Sequence, residues 1–141
     1  MGSDRKFLSE STPRLDEDVV ERIVRHALVE DIGKGDITTR LTIPKRKRIQ
    51  AMIVAQEEGI LCGISVAEKV FKAVDKNIHF KVLVREGHLL KKGRTIAKIN
   101  GEAASILTAE RVALNVVSLL SGVATRTRAF VKHTEPSRAK I

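Results

Sequence analysis

The sequence predicts an α+β domain in which helices pack on one face of an antiparallel or mixed sheet. Two observations predict this fold class: segments with helical spacing of apolar residues alternate with segments of strand-like alternation, and their order is helix, strand, helix, strands, helix. The 141 residues, 43% of them hydrophobic, suffice for one domain with its own core. Because Trp and Tyr are absent and Phe occurs four times, we expect a core of Val, Ile, Leu and Ala.

The first helix is predicted over Asp16 to Glu30, where Val20, Ile23 and Ala27 recur at helical spacing and Asp16 is a suitable N-cap. The loop after it contains Gly33 and Gly35 and allows two interpretations, a phosphate cradle or a connection that caps the helix. No strand precedes the loop as a phosphate-binding motif requires, and its aspartates would repel phosphate. We therefore favour the capping connection.

The middle of the chain predicts three strands and a second helix. Strands are expected over residues 49–57, 78–84 and 95–99, where apolar residues alternate. The helix is expected from Ser65 to Val74, with Ser65 and Glu68 as a capping box. The spacing Gly87-x-Leu89-Leu90-x-x-Gly93-x-x-Ile96-Ala97 predicts a hairpin of short strands, of which the third strand is one.

The most apolar helix is predicted from Ala109 to Leu120, with Thr108 as N-cap and Gly122 at its end. A further helix over residues 124–133 should stop at Pro136. Since the long helix is apolar nearly all round, it should be buried.

One polar stripe crosses that helix, because Arg111, Asn115 and Ser118 recur at i, i+4 and i+7. A buried arginine needs a partner, since desolvating an unpaired charge costs on the order of several kcal/mol. The pattern leaves two partners open: an internal carboxylate such as Glu110, or a bound anion.

The net charge of +9 and the pI of about 10.1 point to anionic partners, whether nucleic acid or a small anion. Lys45, Arg46, Lys47 and Arg48 resemble a nucleic-acid patch, but a solvated loop is the commoner case. Aromatic residues do not interleave with the basic ones, so a platform that stacks bases is not expected.

Cys62 is the only cysteine, which excludes an internal disulfide and favours a reducing, cytoplasmic compartment. We expect it to be a small buried residue. His88 and His133 have no triad-forming neighbours, and surface or capping roles are expected for both. No zinc motif, signal peptide or membrane-spanning apolar run is evident.

Five motifs follow one another along the chain. They are Glu30-Asp31-x-Gly33-x-Gly35-Asp36-x-Thr38, Gly59-Ile60-x-x-Gly63-Ile64, Gly87-x-x-Leu90-x-x-Gly93-x-x-Ile96-Ala97-x-Ile99-x-Gly101, Glu110-Arg111-Val112-Ala113-Leu114-Asn115 and Leu120-Ser121-Gly122-Val123-Ala124-Thr125-x-Thr127. Over about residues 16 to 135, this series resembles the N-terminal half of quinolinate phosphoribosyltransferase, also called nicotinate-nucleotide pyrophosphorylase (carboxylating). Each motif alone is weak, but five in order at these spacings are specific.

The resemblance implies an enzyme of NAD biosynthesis. It would convert quinolinate and phosphoribosyl pyrophosphate, with Mg²⁺, into nicotinate mononucleotide, pyrophosphate and CO₂. The implied fold is an open-faced α/β sandwich followed by an α/β barrel, in homodimers or hexamers. Carried over to this sequence, Arg111 would bind the quinolinate of the neighbouring subunit, with Asn115 and Ser118 as weaker candidates.

The resemblance also divides the chain. Residues 1–14 are expected to be a disordered arm, 15–107 the sandwich domain, and 108–141 a helical segment that leads into a barrel. The family's Thr-Arg-Lys-Thr barrel motif does not occur before Ile141. We therefore expect the Mg²⁺ ligands and the remaining substrate ligands to lie outside these residues, and this polypeptide alone to be inactive.

Two other functions stay open at this point. A small basic module could bind nucleic acid through residues 45–48, although nucleic acid is the less expected partner, and no membrane partner is expected. A molybdenum-transport-associated relative shares the superfamily and the fold.

Overall fold

The structure is a computed structural model that describes residues 15–33 and 47–134. The described elements follow the predicted order. They are α1 (Glu17–Ile32), β1 (Arg48–Val54), β2 (Gly59–Ile60), α2 (Ile64–Val74), β3 (His79–Val82), β4 (Leu89–Leu90), β5 (Thr95–Glu102) and α3 (Ala103–Thr134). The arm 1–14, the loop residues Gly35 and Asp36, the basic residues Lys45 and Arg46, and Pro136 lie outside the described residues.

Helices cover one face of an antiparallel sheet, so the predicted α+β class is confirmed. The strand order is β1-β5-β3, and β5 pairs antiparallel with both neighbours. Side chains of β1 alternate, with Ile49, Ala51 and Ile53 turned inward and Gln50 and Met52 exposed. The register places Ala51 opposite Ile99, which keeps the apolar face of each strand towards the helices.

The small β4 strand pairs with β2 rather than folding back on β5. Gly59 lies opposite Leu90 and Ile60 opposite Leu89 in an antiparallel pair. The predicted hairpin between β4 and β5 is therefore wrong. No strand was predicted at β2, because two residues carry no periodicity.

The core lies between the helices and the inner face of the sheet. Its largest fully buried side chains are Phe71, Leu61, Ile64, Ile78 and Val70. Phe71, which falls on the apolar stripe of the second predicted helix, adds an aromatic ring to a core that is otherwise mostly aliphatic, and this ring lies 5.5 Å from that of Phe80 between centroids. No polar or charged side chain is buried among the described residues.

The first two helices match their predictions closely, apart from one cap. The Asp16 carboxylate accepts hydrogen bonds from the backbone N–H groups of Asp18 (3.0 Å) and Val19 (3.4 Å), which confirms the predicted N-cap of α1. In α2 the N-cap is Gly63, whose side-chain-free backbone adopts φ +90°. The predicted capping box of Ser65 and Glu68 is therefore wrong.

The last helix departs most from its prediction. It runs unbroken from Ala103 to Thr134, so Thr108 does not cap its start and Gly122 does not end it. The division at residue 107 stays a prediction, although helix residues Ile106, Val112 and Val117 belong to the same core cluster as the sheet. Only one face of α3 is buried. Large apolar side chains stay exposed on the rest of the helix: Leu107, Leu114, Leu119, Val123 and Phe130.

By length and composition alone, α3 could cross a membrane, with a mean hydropathy of 1.4 over its most apolar window. This test averages hydropathy over a window, so it does not contradict the prediction that the chain lacks an uninterrupted apolar run long enough to span a membrane. The finding is weak evidence for a membrane, because a core helix passes the same test. Ala109, Ala113 and Val117 pack in the core and account for part of that apolarity.

Candidate functional site

Arg111 lies on the exposed side of α3, with Asn115 and Ser118 on the next two turns. Its side chain is 76% exposed. The sequence correctly places the three residues along one stripe, but the expectation of a buried arginine is wrong. The apolar side of α3 faces α2 and the core, which turns the polar stripe towards solvent.

The carboxylate of Asp31 is the partner of Arg111. The guanidinium Nη1 lies 3.5 Å from Asp31 Oδ1, and the Asp31 side chain is 25% exposed. Glu110, the partner considered from sequence, instead lines a small cavity with Met52 and Leu114. A guanidinium carries five N–H donors, so one ion pair leaves capacity to bind a further carboxylate.

The second glycine motif and the last motif meet in space. Thr125 Oγ1 accepts a hydrogen bond from the Ile60 N–H (2.9 Å), and Ser121 Oγ accepts from the Cys62 N–H (3.0 Å) and donates to the Cys62 carbonyl (3.1 Å). These two hydroxyls lie one turn apart on α3 and satisfy backbone groups of β2 and of Cys62 just after it. This role was not predicted from the sequence, although Ser and Thr at i, i+4 on an apolar helix are a usable signal.

Close approach of α3 explains both glycines of the second motif. A Cβ on Gly59 would lie 2.7 Å from Thr125 Oγ1, and one on Gly63 would lie 2.8 Å from Leu120 Cδ1. Gly63 also has a left-handed backbone, which other residues adopt only with strain. The two glycines of this motif thus let α3, the helix that carries Arg111, pack close to the backbone.

Glu86 caps α2 from a distant part of the chain. Its carboxylate accepts hydrogen bonds from the Gly63 N–H (2.9 Å), the Ser65 N–H (3.0 Å) and the Ser65 hydroxyl (3.0 Å). The acceptor therefore comes from 21 residues beyond Ser65, and no local pattern reveals it. A carboxylate at this end also interacts favourably with the helix dipole.

The remaining candidates do not form a reactive cluster. Cys62 is half-buried rather than fully buried, and burial and then the nearby Glu86 carboxylate raise the pKa of its thiol. His88 and His133 are exposed, as predicted, and each ring Nδ1 lies near a backbone carbonyl oxygen, that of Glu86 (3.3 Å) and that of Ala129 (2.6 Å). Within residues 15–33 and 47–134, no three His, Cys, Asp or Glu side chains group as a metal site.

An open groove of about 1010 Å³ lies between α1 and α2. Its lining includes the apolar residues Leu28 and Val74 and the basic residues Arg25, Lys69 and Lys76. Arg111, Asn115 and Ser118 are not among its lining residues. The groove is thus a separate surface from the Arg111 stripe.

Residues 36–121 match the sequence profile described as "Quinolinate phosphoribosyl transferase, N-terminal domain". This chain belongs to the quinolinate phosphoribosyltransferase family. The matched stretch includes all five motifs at least in part, and it contains Arg111, Asn115 and Ser118.

Individual relatives agree with the family assignment. The chain is 37% identical over 122 residues to the probable nicotinate-nucleotide pyrophosphorylase (carboxylating) of Bacillus subtilis, covering 86% of this chain and 42% of that protein. It is 38% identical over 116 residues to quinolinate phosphoribosyltransferase (decarboxylating) 1b of Nicotiana tabacum, covering 82% of this chain and 33% of that protein. The solved nicotinate-nucleotide pyrophosphorylase of Francisella tularensis superposes with a TM-score of 0.80 at 39% identity, covering 84% of this chain and 42% of that one.

The chain therefore spans less than half the length of these relatives. Some plant relatives carry the words chloroplastic or mitochondrial in their names. The family and its N-terminal fold are established for this chain, and they supply the frame for its function.

Proposed function

We propose that this chain is the N-terminal domain of an enzyme that converts quinolinate and phosphoribosyl pyrophosphate into nicotinate mononucleotide, pyrophosphate and CO₂. The observation that carries the proposal is Arg111, whose guanidinium is 76% exposed on α3 within the Glu110-Arg111-x-x-Leu114-Asn115 motif. The names of the relatives, which refer to quinolinate or nicotinate nucleotide, support this substrate class. These names favour a quinolinate enzyme over the molybdenum-transport-associated relative.

The proposed role of Arg111 is to bind a carboxylate of quinolinate. Quinolinate is a dicarboxylate, and the planar guanidinium forms two parallel hydrogen bonds to a carboxylate. Asn115 and Ser118, one and two turns further along α3, would contribute weaker polar contacts. Both substrates are anionic, and the net charge of +9 would raise their local concentration by long-range attraction.

Mg²⁺ is part of this proposal only because the family resemblance implies it. When bound, it would neutralise the departing pyrophosphate. The described part of the chain groups no three side chains that could hold the ion, so we assign no metal ligand here. This domain's proposed contribution is to bind and orient quinolinate.

We further propose that Arg111 serves a neighbouring subunit in a homodimer or a larger assembly. Exposed apolar side chains share helix α3 with Arg111, notably Leu119 (69% exposed) and Phe130 (68% exposed). Apolar surface of this kind is characteristic of an interface. We place the protein in the cytoplasm, which the single cysteine supports.

The nucleic-acid alternative has less support. Arg48 Nη2 donates a hydrogen bond to Asn100 Oδ1 (2.9 Å), so this member of the basic run is engaged across the sheet. The family assignment gives the positive charge another purpose, the attraction of anionic substrates.

The test is steady-state kinetics of the complete gene product with Arg111→Ala. We expect the KM for quinolinate to rise about 10- to 100-fold, the cost of losing a charge-assisted hydrogen-bond pair, with a much smaller change in the KM for phosphoribosyl pyrophosphate. Arg126→Ala removes the same charge from an exposed position on the same helix and should leave both constants unchanged. An unchanged quinolinate KM in Arg111→Ala would refute the assignment.

A further inference from the structure

Asp31 occupies an electrostatically unfavourable position. It lies in the last turn of α1, directly after Glu30, and that turn contains no basic residue. The C-terminal end of a helix carries a partial negative charge, so carboxylates there are destabilising. A cation from another element would therefore stabilise the two adjacent carboxylates at this helix end.

That cation is Arg111 of α3. The guanidinium Nη1 lies 3.5 Å from Asp31 Oδ1, which joins the end of the first helix to the middle of the last. The two partners differ in exposure, since the Asp31 side chain is 25% exposed and that of Arg111 is 76% exposed. The carboxylate is thus the less exposed partner of the ion pair, and the guanidinium is mostly in solvent.

We propose that Asp31 is a positioning residue, which holds the Arg111 guanidinium so that its remaining N–H edge meets the substrate carboxylate. The inference rests on the proposed function of Arg111. A free arginine side chain has about 2 kcal/mol of rotamer entropy to lose on binding. An arginine already oriented by Asp31 loses less of it when the substrate arrives.

Asp31 should also increase the rise in the quinolinate KM that follows the loss of Arg111. Without the guanidinium, the Asp31 carboxylate would face the dicarboxylate substrate directly, and like charges at short range repel. The penalty of Arg111→Ala should therefore be smaller once Asp31 is uncharged. A purely structural role for Asp31 would not produce this coupling.

The experiment measures kcat and both KM values for the complete gene product. Asp31→Asn removes the charge with little change in shape. It should raise the KM for quinolinate about two- to fivefold, as expected for a solvent-exposed ion pair, while kcat and the KM for phosphoribosyl pyrophosphate stay unchanged. Asp31→Glu keeps the charge, so its KM for quinolinate should lie close to that of the unsubstituted protein.

Glu30→Gln is the matched control, because it removes the same charge from the same helix end at an exposed neighbour. It should leave the KM for quinolinate unchanged. The double variant Asp31→Asn with Arg111→Ala should have a KM for quinolinate about two- to fivefold lower than that of Arg111→Ala alone.

The outcomes separate this inference from the proposed function. If Arg111→Ala raises the quinolinate KM but Asp31→Asn does not, the positioning role is overturned and the function stands. The role is also overturned if Glu30→Gln acts as Asp31→Asn does, or if the double variant shows no recovery. If Arg111→Ala itself has no effect, the proposed function fails first.

Discussion

Gly122 lies in the interior of α3, and a Cβ built on it would meet no heavy atom within 4 Å. Glycine in a helix interior costs about 0.5–1 kcal/mol relative to alanine, because its unfolded backbone has more freedom to lose. We therefore expect Gly122→Ala to stabilise the 141-residue chain by about that amount in urea unfolding followed by circular dichroism. A destabilised variant would show that this residue needs a conformation other than the helical one.

Cys62 offers a chemical probe of the junction between β2 and α2. Burial first, and then the Glu86 carboxylate, raise the pKa of its thiol, so less of the reactive thiolate is present at any given pH. The rate of alkylation by iodoacetamide should therefore rise at higher pH in the folded chain than in the urea-unfolded chain. Mass spectrometry can follow this reaction without ambiguity, because the chain has one cysteine. Coincident rate profiles for the two states would contradict the shift.

At the scale of the elements, the stability of α2 depends on Glu86. Its carboxylate accepts three hydrogen bonds at the helix start, two of them from backbone N–H groups. Glu86→Ala should destabilise the chain by about 1–2 kcal/mol, the usual cost of losing an N-terminal cap and leaving a part-buried N–H group unpaired. The measurement is the change in urea midpoint at constant m-value.

Glu58→Ala is the control for that loss, because Glu58 is an exposed residue in the turn before β2. It removes the same charge and should shift the midpoint little. Equal shifts in the two variants would mean that net charge, rather than the cap, explains the effect.

At the scale of the whole molecule, the chain spans 42% of its Bacillus subtilis relative and 33% of its tobacco relative. We expect the 141-residue chain, produced by itself, to give no nicotinate mononucleotide from quinolinate, phosphoribosyl pyrophosphate and Mg²⁺. The proposed role of Arg111 is confined to substrate binding, and the described residues group no set of side chains for the metal. Liquid chromatography of the reaction mixture tests this, and product above the no-protein control would contradict it.

The sequence alone determined the elements whose signals are local. Alternation located β1, β3 and most of β5, helical spacing located α1 and α2, and Asp16 marked the start of α1. These features depend on neighbours within about four residues, which a linear sequence shows directly. Five ordered motifs indicated the family, which the match over residues 36–121 confirms.

The tertiary structure decided the features whose partners are distant in the chain. Helix α3 continues through Gly122, and Ser121 and Thr125 on either side bond to the backbone around β2. The cap of α2 comes from Glu86, and β4 pairs with β2 instead of β5.

For the candidate site, the sequence placed Arg111, Asn115 and Ser118 on one stripe, but it could not show which way that stripe faces. Orientation depends on which side of α3 the core occupies, and the core side is set by packing against α2 and the sheet. Likewise, Asp31 became the partner of Arg111 only because folding brings the end of α1 beside α3. Such contacts join residues 80 positions apart, so local spacing carries no trace of them.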